Sequence, residues 1–226
     1  SAINYYDETE KVWKSSTNAF IESNGEQISR LGKYQAKISP NLTEEISISG
    51  NGKRVGWAFN GNTARNRKNL SVTSNNQTGK ALYKNVIDGI DVEYIAENDN
   101  LKENIIVNKK LNSYKFPFTL NVENLSIRLT DNGKSIELYD AETSTTEFTI
   151  PAPFMYDAKG NRSDNVTYEV TPVKNGNYLF TVIADDNWIN HQDRVFPVTI
   201  DPQILTARPE VMTFEYAQTS TNSNSY

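Results

Sequence analysis

Cysteine is absent from this 226-residue chain. That excludes a disulfide framework, thiolate metal sites and a cysteine nucleophile together. Histidine occurs once, at His191, and a zincin helix needs two. A Ser-His-Asp triad would have to run through His191. No Gly-x-Ser-x-Gly elbow is present, and residues 188–194 read as a turn rich in Asn and Asp. No Walker loop or Gly-x-Gly-x-x-Gly fingerprint occurs either. No apolar run approaches the roughly 20 residues of a membrane span. The N-terminus carries no apolar signal-peptide core, so an exported chain would take its targeting segment from elsewhere in the polypeptide. A basic excess is missing as well: 23 Lys and Arg against 28 Asp and Glu give a net charge of -5, with the signs interspersed. This balance predicts no nucleic-acid partner and no membrane insertion.

What the chain has is aromatic rings. Twelve Tyr, nine Phe and three Trp make 11% of it, although hydrophobic residues reach only 37% and mean hydropathy is -0.62. Disordered chains lack rings to bury, so this one is expected to fold. Its length suffices for one large unit or two smaller ones.

The periodicity is two. Residues 45–49, 55–59, 126–130 and 135–139 alternate apolar with polar, the pattern of half-buried strands. Asn132-Gly133 lies between two alternating runs, the strongest short-range hairpin signal, because both turn residues tolerate positive φ. Asn51-Gly52 and Asn175-Gly176 serve the same purpose. A helix is expected only weakly, near residues 17–31. Segment 60–80 contains no acid and reads as a solvated loop or mobile hairpin. The fold class is therefore all-β, an antiparallel β-sandwich with over 40% strand. It is either one large supersandwich-like unit or two packed halves. The divisions are 1–110, 111–203 and a junction at 204–226, with proline stopping the last strand after Pro202. The break near residue 110 either separates the halves or crosses between sheets of one unit.

Three ordered blocks carry a resemblance. The first is Tyr83-Lys-Asn-Val-Ile-Asp-Gly-Ile-Asp-Val-Glu-Tyr94, read as strands around a polar turn, followed by Lys102-Glu103-Asn-Ile-Ile-Val107. The second is Phe148-Thr-Ile-Pro-Ala-Pro-Phe-Met-Tyr-Asp-Ala-Lys-Gly160, and the third runs from Trp188 through Pro197-Val-Thr-Ile-Asp-Pro202. Together they resemble the β-rich region that precedes DNRLRE modules in large Gram-positive surface proteins, including wall-associated proteins with RHS/YD repeats. The end of the chain, 211–226, is similar to the first strand of a DNRLRE module. The resemblance implies an extracellular, cell-surface or cell-wall location. It also implies a non-catalytic structural or spacer module, contacting neighbouring modules of its own polypeptide. The alternative is a carbohydrate-binding module for cell-wall or plant polysaccharide.

Candidate residues follow from these readings. Polysaccharide binding would use exposed rings, and Trp13, Trp57 and Trp188 are the candidates, with Tyr5 and Tyr6 beside the first. No catalytic residue and no metal ligand set is assigned. Asp91 and Glu103 are read as buried, structural polar residues; if carboxylate chemistry exists, they are the pair to test first. On the strand 101–107, period two puts Leu101, Glu103, Ile105 and Val107 on one face. Glu103 then becomes a buried carboxylate that needs a partner, with lysine or arginine the natural one. A buried acid can also promote a lysine–asparagine amide crosslink, and the sequence singles out no such pair. No cofactor is expected. Calcium would find clustered oxygens only at 97–100 and 185–187, and neither follows the EF-hand spacing. The plainer reading of those clusters is turn residues bonding their own backbone.

Overall fold

A computed structural model describes residues 3–7, 10–16, 18–60, 70–75, 78–97, 100–174 and 176–206. Strands β1 (Ile3–Asp7) and β2 (Val12–Ser16) form a hairpin of their own. The chain then builds a first sheet as a meander of β3 (Ile21–Ser23), β4 (Glu26–Leu31), β5 (Tyr34–Ile38), β6 (Ile46–Gly50) and β7 (Lys53–Phe59). It crosses to a second sheet for β8 (Leu70–Ser74), β9 (Thr78–Ile87), β10 (Ile90–Glu97) and β11 (Asn100–Val107). β12 (Lys115–Glu123) returns to the first sheet beside β7. β13 (Ser126–Thr130), β14 (Ser135–Tyr139), β15 (Thr146–Ile150), β16 (Phe154–Tyr156) and β17 (Arg162–Ser163) go back to the second. β18 (Val166–Pro172) and β19 (Asn177–Ala184) close the first sheet at β12. After the short helix α1 (Asp186–Ile189), β20 (Val198–Asp201) and β21 (Gln203–Thr206) pair with β11. Every pairing is antiparallel, strand accounts for 62%, and the expected antiparallel sandwich is the fold. The link after β11 is the crossing from one sheet to the other.

Alternation explains the layers. β5 buries Tyr34, Ala36 and Ile38; β10 buries Ile90, Val92, Tyr94 and Ala96; β12 buries Phe116, Phe118, Leu120 and Val122. These inward faces meet in one apolar core. Each buried Val, Leu, Ile or Phe side chain contributes roughly 1.5–3 kcal/mol over exposure. β20 is buried at all four positions, as a strand flanked by β11 and β16 should be.

Asn51-Gly52 sits at φ of 52° and 74° between the paired Gly50 and Lys53, a two-residue hairpin turn with both centres left-handed. Asn24-Gly25 does the same at 52° and 81°, between Ser23 and Glu26. This second turn corrects the helix expected near 17–31: the segment is β3, β4 and their turn. Asn-Gly outweighed a weak helical pattern there. Asp131–Gly133 closes the β13–β14 hairpin as a single turn of 3-10 helix. Of segment 60–80, residues 70–74 and 78–80 are the paired arms of a hairpin, the second of the two expected forms, and 61–69 lies outside the described residues. Pro202 interrupts the last strand without ending it, because β21 resumes on β11 in the register that β20 left. The DNRLRE-like end, 211–226, lies outside the described residues.

Candidate functional site

Three polar clusters stand out, and the first lies between the sheets. Glu103 on β11 faces Tyr94 directly across the β10–β11 pair. Tyr94 Oη donates to Glu103 Oε2 at 2.5 Å, and Trp57 Nε1, from β7 of the opposite sheet, donates to the same oxygen at 3.1 Å. The indole N–H also reaches Tyr94 Oη at 3.1 Å. A cavity of about 20 Å³ adjoins this group, walled by Phe118, Leu120, Phe180 and Pro202, enough for about one water. Burial pushes the Glu103 carboxyl up to about 7, against the opposing pull of the Tyr94 and Trp57 hydrogen bonds. The expected lysine or arginine partner is therefore replaced by two neutral donors. Period two predicted the buried acid correctly but could not supply a residue from the facing sheet.

The second cluster closes one end of the sandwich. Lys53, just past the Asn51-Gly52 turn, places Nζ 3.0 Å from Asp140 Oδ2 and 3.1 Å from Glu147 Oε1. Tyr34 Oη donates to Glu147 Oε2, and Lys33 Nζ lies 3.5 Å from that oxygen. Burial pushes the Glu147 carboxyl up, but hydrogen bonds from Tyr34 and Lys53 outweigh it and hold the group below the ordinary carboxylate value. The hydrogen bond from Lys53 likewise lowers Asp140. An open depression of about 540 Å³ borders this cluster, lined by Asn51, Lys53, Asn124, Ser126, Asp140 and Glu142. Nothing in the local sequence signalled this group, because its members come from three hairpins.

The third cluster spans β11 and the β20–β21 junction. Lys102 Nζ sits 2.7 Å from Oδ2 of Asp201, whose side chain is 2% exposed. Near it, Asp157 organises the turn after β16, accepting from the backbone of Lys159 and Asn161 at 2.9 Å and from Asn161 Nδ2 at 2.9 Å. Gly160 completes that turn at φ 82°. This gives the second resemblance block a structural content: its Asp and Gly make a turn.

The candidate residues scatter. Trp13 is 72% exposed on the β1–β2 hairpin, edge-on to Tyr6 with centroids 5.5 Å apart, and the Tyr5 side chain lies outside the described residues. Trp57 is buried in the first cluster. Trp188 lies half-buried on α1 under the Arg194 guanidinium, 4.3 Å from its ring, and flanks the core. The three indoles form no common platform. Asp91 is half-buried, not buried, and ties a loop: it accepts from Asn85 N at 2.6 Å and from Asn108 Nδ2 at 3.0 Å. It does not meet Glu103, because the two occupy opposite faces of the β10–β11 ladder. His191 is exposed and accepts from Asp193 N at 3.3 Å. Asp185 caps α1 by accepting from Asn187 N at 2.9 Å. Of the 97–100 cluster, residues 98 and 99 lie outside the described residues. Among the described residues no three His, Asp or Glu side chains converge as a metal site.

Three curated proteins are similar to this chain, each 31% identical over 147 residues, or 62% of the chain. They are named tRNA nuclease WapA, from Bacillus subtilis strain 168; tRNA(Glu)-specific nuclease WapA, from Bacillus subtilis subsp. natto; and tRNA3(Ser)-specific nuclease WapA, from Bacillus spizizenii. The chain spans 6% of the length of each. No family model matches the chain, and no solved structure matches it.

These names correct the functional expectations. The relatives are named for cleaving tRNA, not as surface regions preceding DNRLRE modules. The non-catalytic spacer, the polysaccharide-binding alternative and the exclusion of nucleic-acid partners are withdrawn with that resemblance. The physical reason lies in sampling. A motif survey and a net charge of -5 describe 226 residues, whereas the relatives are more than tenfold longer. Neither average bears on chemistry carried elsewhere in such a polypeptide.

Proposed function

We propose that this chain is one part of an enzyme that cleaves tRNA. The observation that carries the reading is the 31% identity over 147 residues to proteins named tRNA nuclease. The geometry bears on which residues would touch RNA. Cleavage by proton transfer needs a group that titrates near the working pH and that the substrate can reach. Glu103 meets the first condition, its carboxyl raised to about 7. It fails the second, sealed beneath Trp57 and Tyr94 beside a cavity of about 20 Å³. Asp140 borders an open depression, but Lys53 holds it as a carboxylate of lowered basicity, and Glu147 is buried and held likewise by Tyr34 and Lys53. The two conditions are thus separated in this part of the protein. We place the groups that act on the scissile phosphate outside the described residues.

The test uses the polypeptide that carries this chain, purified whole and incubated with total tRNA, with products resolved on a denaturing gel. Discrete tRNA fragments are expected, formed at an unchanged rate by the Glu103→Gln variant. Intact tRNA at equimolar protein overturns the assignment. Cleavage abolished in a folded Glu103→Gln variant overturns the placement of the reacting groups.

A further inference from the structure

The Lys102–Asp201 contact differs from the surface ion pairs of this chain. Its carboxylate is 2% exposed and its ammonium 24%. Asp201 Oδ1 is buried with no hydrogen-bond partner among the described residues. In register, Asp201 stands opposite Asn104, continuing the Ile105–Ile200 and Lys102–Gln203 pairing. Asn104 Oδ1 is also buried and unpartnered, its amide being committed to Glu93 Oε1 at 3.0 Å. Two orphan acceptors on facing positions can bond each other directly only if one of them carries a proton. Burial pushes the Asp201 carboxyl up, outweighing its hydrogen bond from Lys102, while that same contact outweighs burial at Lys102 and raises its ammonium.

The pair is also held in place. Lys102 and Asp201 project from the same face, opposite to Glu103. Between them Glu103 N donates to Pro202 O at 3.1 Å, which pins the backbones that flank both side chains. A second carboxylate acts on the pair from a distance. Glu97, on β10, shares a face with Ile95, the residue directly across from Lys102, and its charge acts on both Lys102 and Asp201. Phe154, paired with Asp201 across β16, covers the site and is itself capped by the Arg162 guanidinium at 3.9 Å.

We infer that Lys102 and Asp201 are the partners of an intramolecular amide crosslink, formed by loss of water between the two groups in contact. The Lys102 ammonium passes a proton to the Asp201 oxygen it contacts at 2.7 Å. The freed lone pair on Nζ attacks Asp201 Cγ, one Cγ–O bond breaks, and that oxygen leaves as water with the two protons that nitrogen gives up. Ammonium plus carboxylate becomes amide plus water, with no oxidant and no co-reactant. Amide formation is unfavourable between dilute partners in water. Fixed in contact and shielded, such pairs behave as if present at effective concentrations on the order of 10⁵–10⁸ M. The bond would staple β11 to β20 in a chain without a cysteine.

Intact-mass spectrometry of the purified chain tests this without any variant. The expected mass is one water below the sequence mass. A tryptic digest should show a branched peptide joining the Lys102 and Asp201 segments, with no cleavage after Lys102. Lys102→Met and Asp201→Ala should each show the full mass of the variant sequence. A chain at full sequence mass, cleaved normally after Lys102 once unfolded, overturns the inference. So does a water loss that maps to Asp88-Gly89 as a cyclic imide.

Discussion

Tyr94 donates to Glu103 at 2.5 Å straight across the β10–β11 ladder, and Trp57 completes the site from the other sheet at 3.1 Å. Neither partner is a cation. The carboxyl is satisfied by geometry but not neutralised, and its rise to about 7 follows from burial. This places a group that titrates near neutrality inside the sandwich.

The consequence for stability has a definite sign. The folded-state value, about 7, lies above the ordinary 4.5, so the folded protein keeps a proton that the unfolded chain gives up. Stability from this group is full below about pH 4.5, declines as pH rises, and is lost above about pH 7, a swing of about 3 kcal/mol. Glu103→Gln keeps an acceptor for both donors and removes the titration. Urea melts should show the parent losing stability between about pH 5 and pH 8 while the variant stays nearly flat. Parallel profiles would rule the mechanism out.

Lys53 should show the opposite pH signature. It helps hold Glu147 below the usual carboxylate value, so this stabilisation is present above the unfolded value and is lost as pH falls. Lys53→Met should destabilise the protein at neutral pH, and the deficit should shrink in acid as Glu147 protonates. Thermal melts at neutral and acid pH give the comparison; a deficit independent of pH would contradict it.

The two buried or half-buried indoles are not equivalent. Trp57 is 4% exposed and hydrogen-bonded on both sides of its site. Trp57→Ala should cost about 3–5 kcal/mol in a chemical melt. Trp188 lies at the rim beneath Arg194, and its truncation should cost about 1–2 kcal/mol, within the common range for point mutants. The reverse order would mean that α1, not the sheet interface, anchors the fold.

Gly79 permits a close backbone approach. A Cβ there would lie 2.5 Å from the Asn18 carbonyl oxygen and 2.6 Å from the Phe20 ring. Residues 18–20 are docked by Phe20 N, which donates to Ser74 Oγ at 3.0 Å. Gly79→Ala should therefore cost about 1–3 kcal/mol, as overpacking does. It should also open the chain to protease on the N-terminal side of β3. Unchanged digestion and unchanged melting would show that the segment docks without that contact.

Local chemistry in the sequence determined the strands and many of their turns. Asn51-Gly52 and Asn24-Gly25 can take two successive left-handed residues cheaply, so the hairpins around them follow from the dipeptides alone. The alternation in β10 and β12 determined which side chains turn inward. The same rule put Glu103 inside, and it went no further. A period of two assigns a face, but it carries no information about what stands opposite that face. That Trp57 meets Glu103, that Lys53 joins Asp140 to Glu147, and that Lys102 reaches Asp201 were decided by the packing of two sheets whose strands interleave along the chain. Contacts between residues 46 to 99 positions apart depend on register and sheet order. Those are set by the sum of many weak core contacts, none of which is written in a local run of residues.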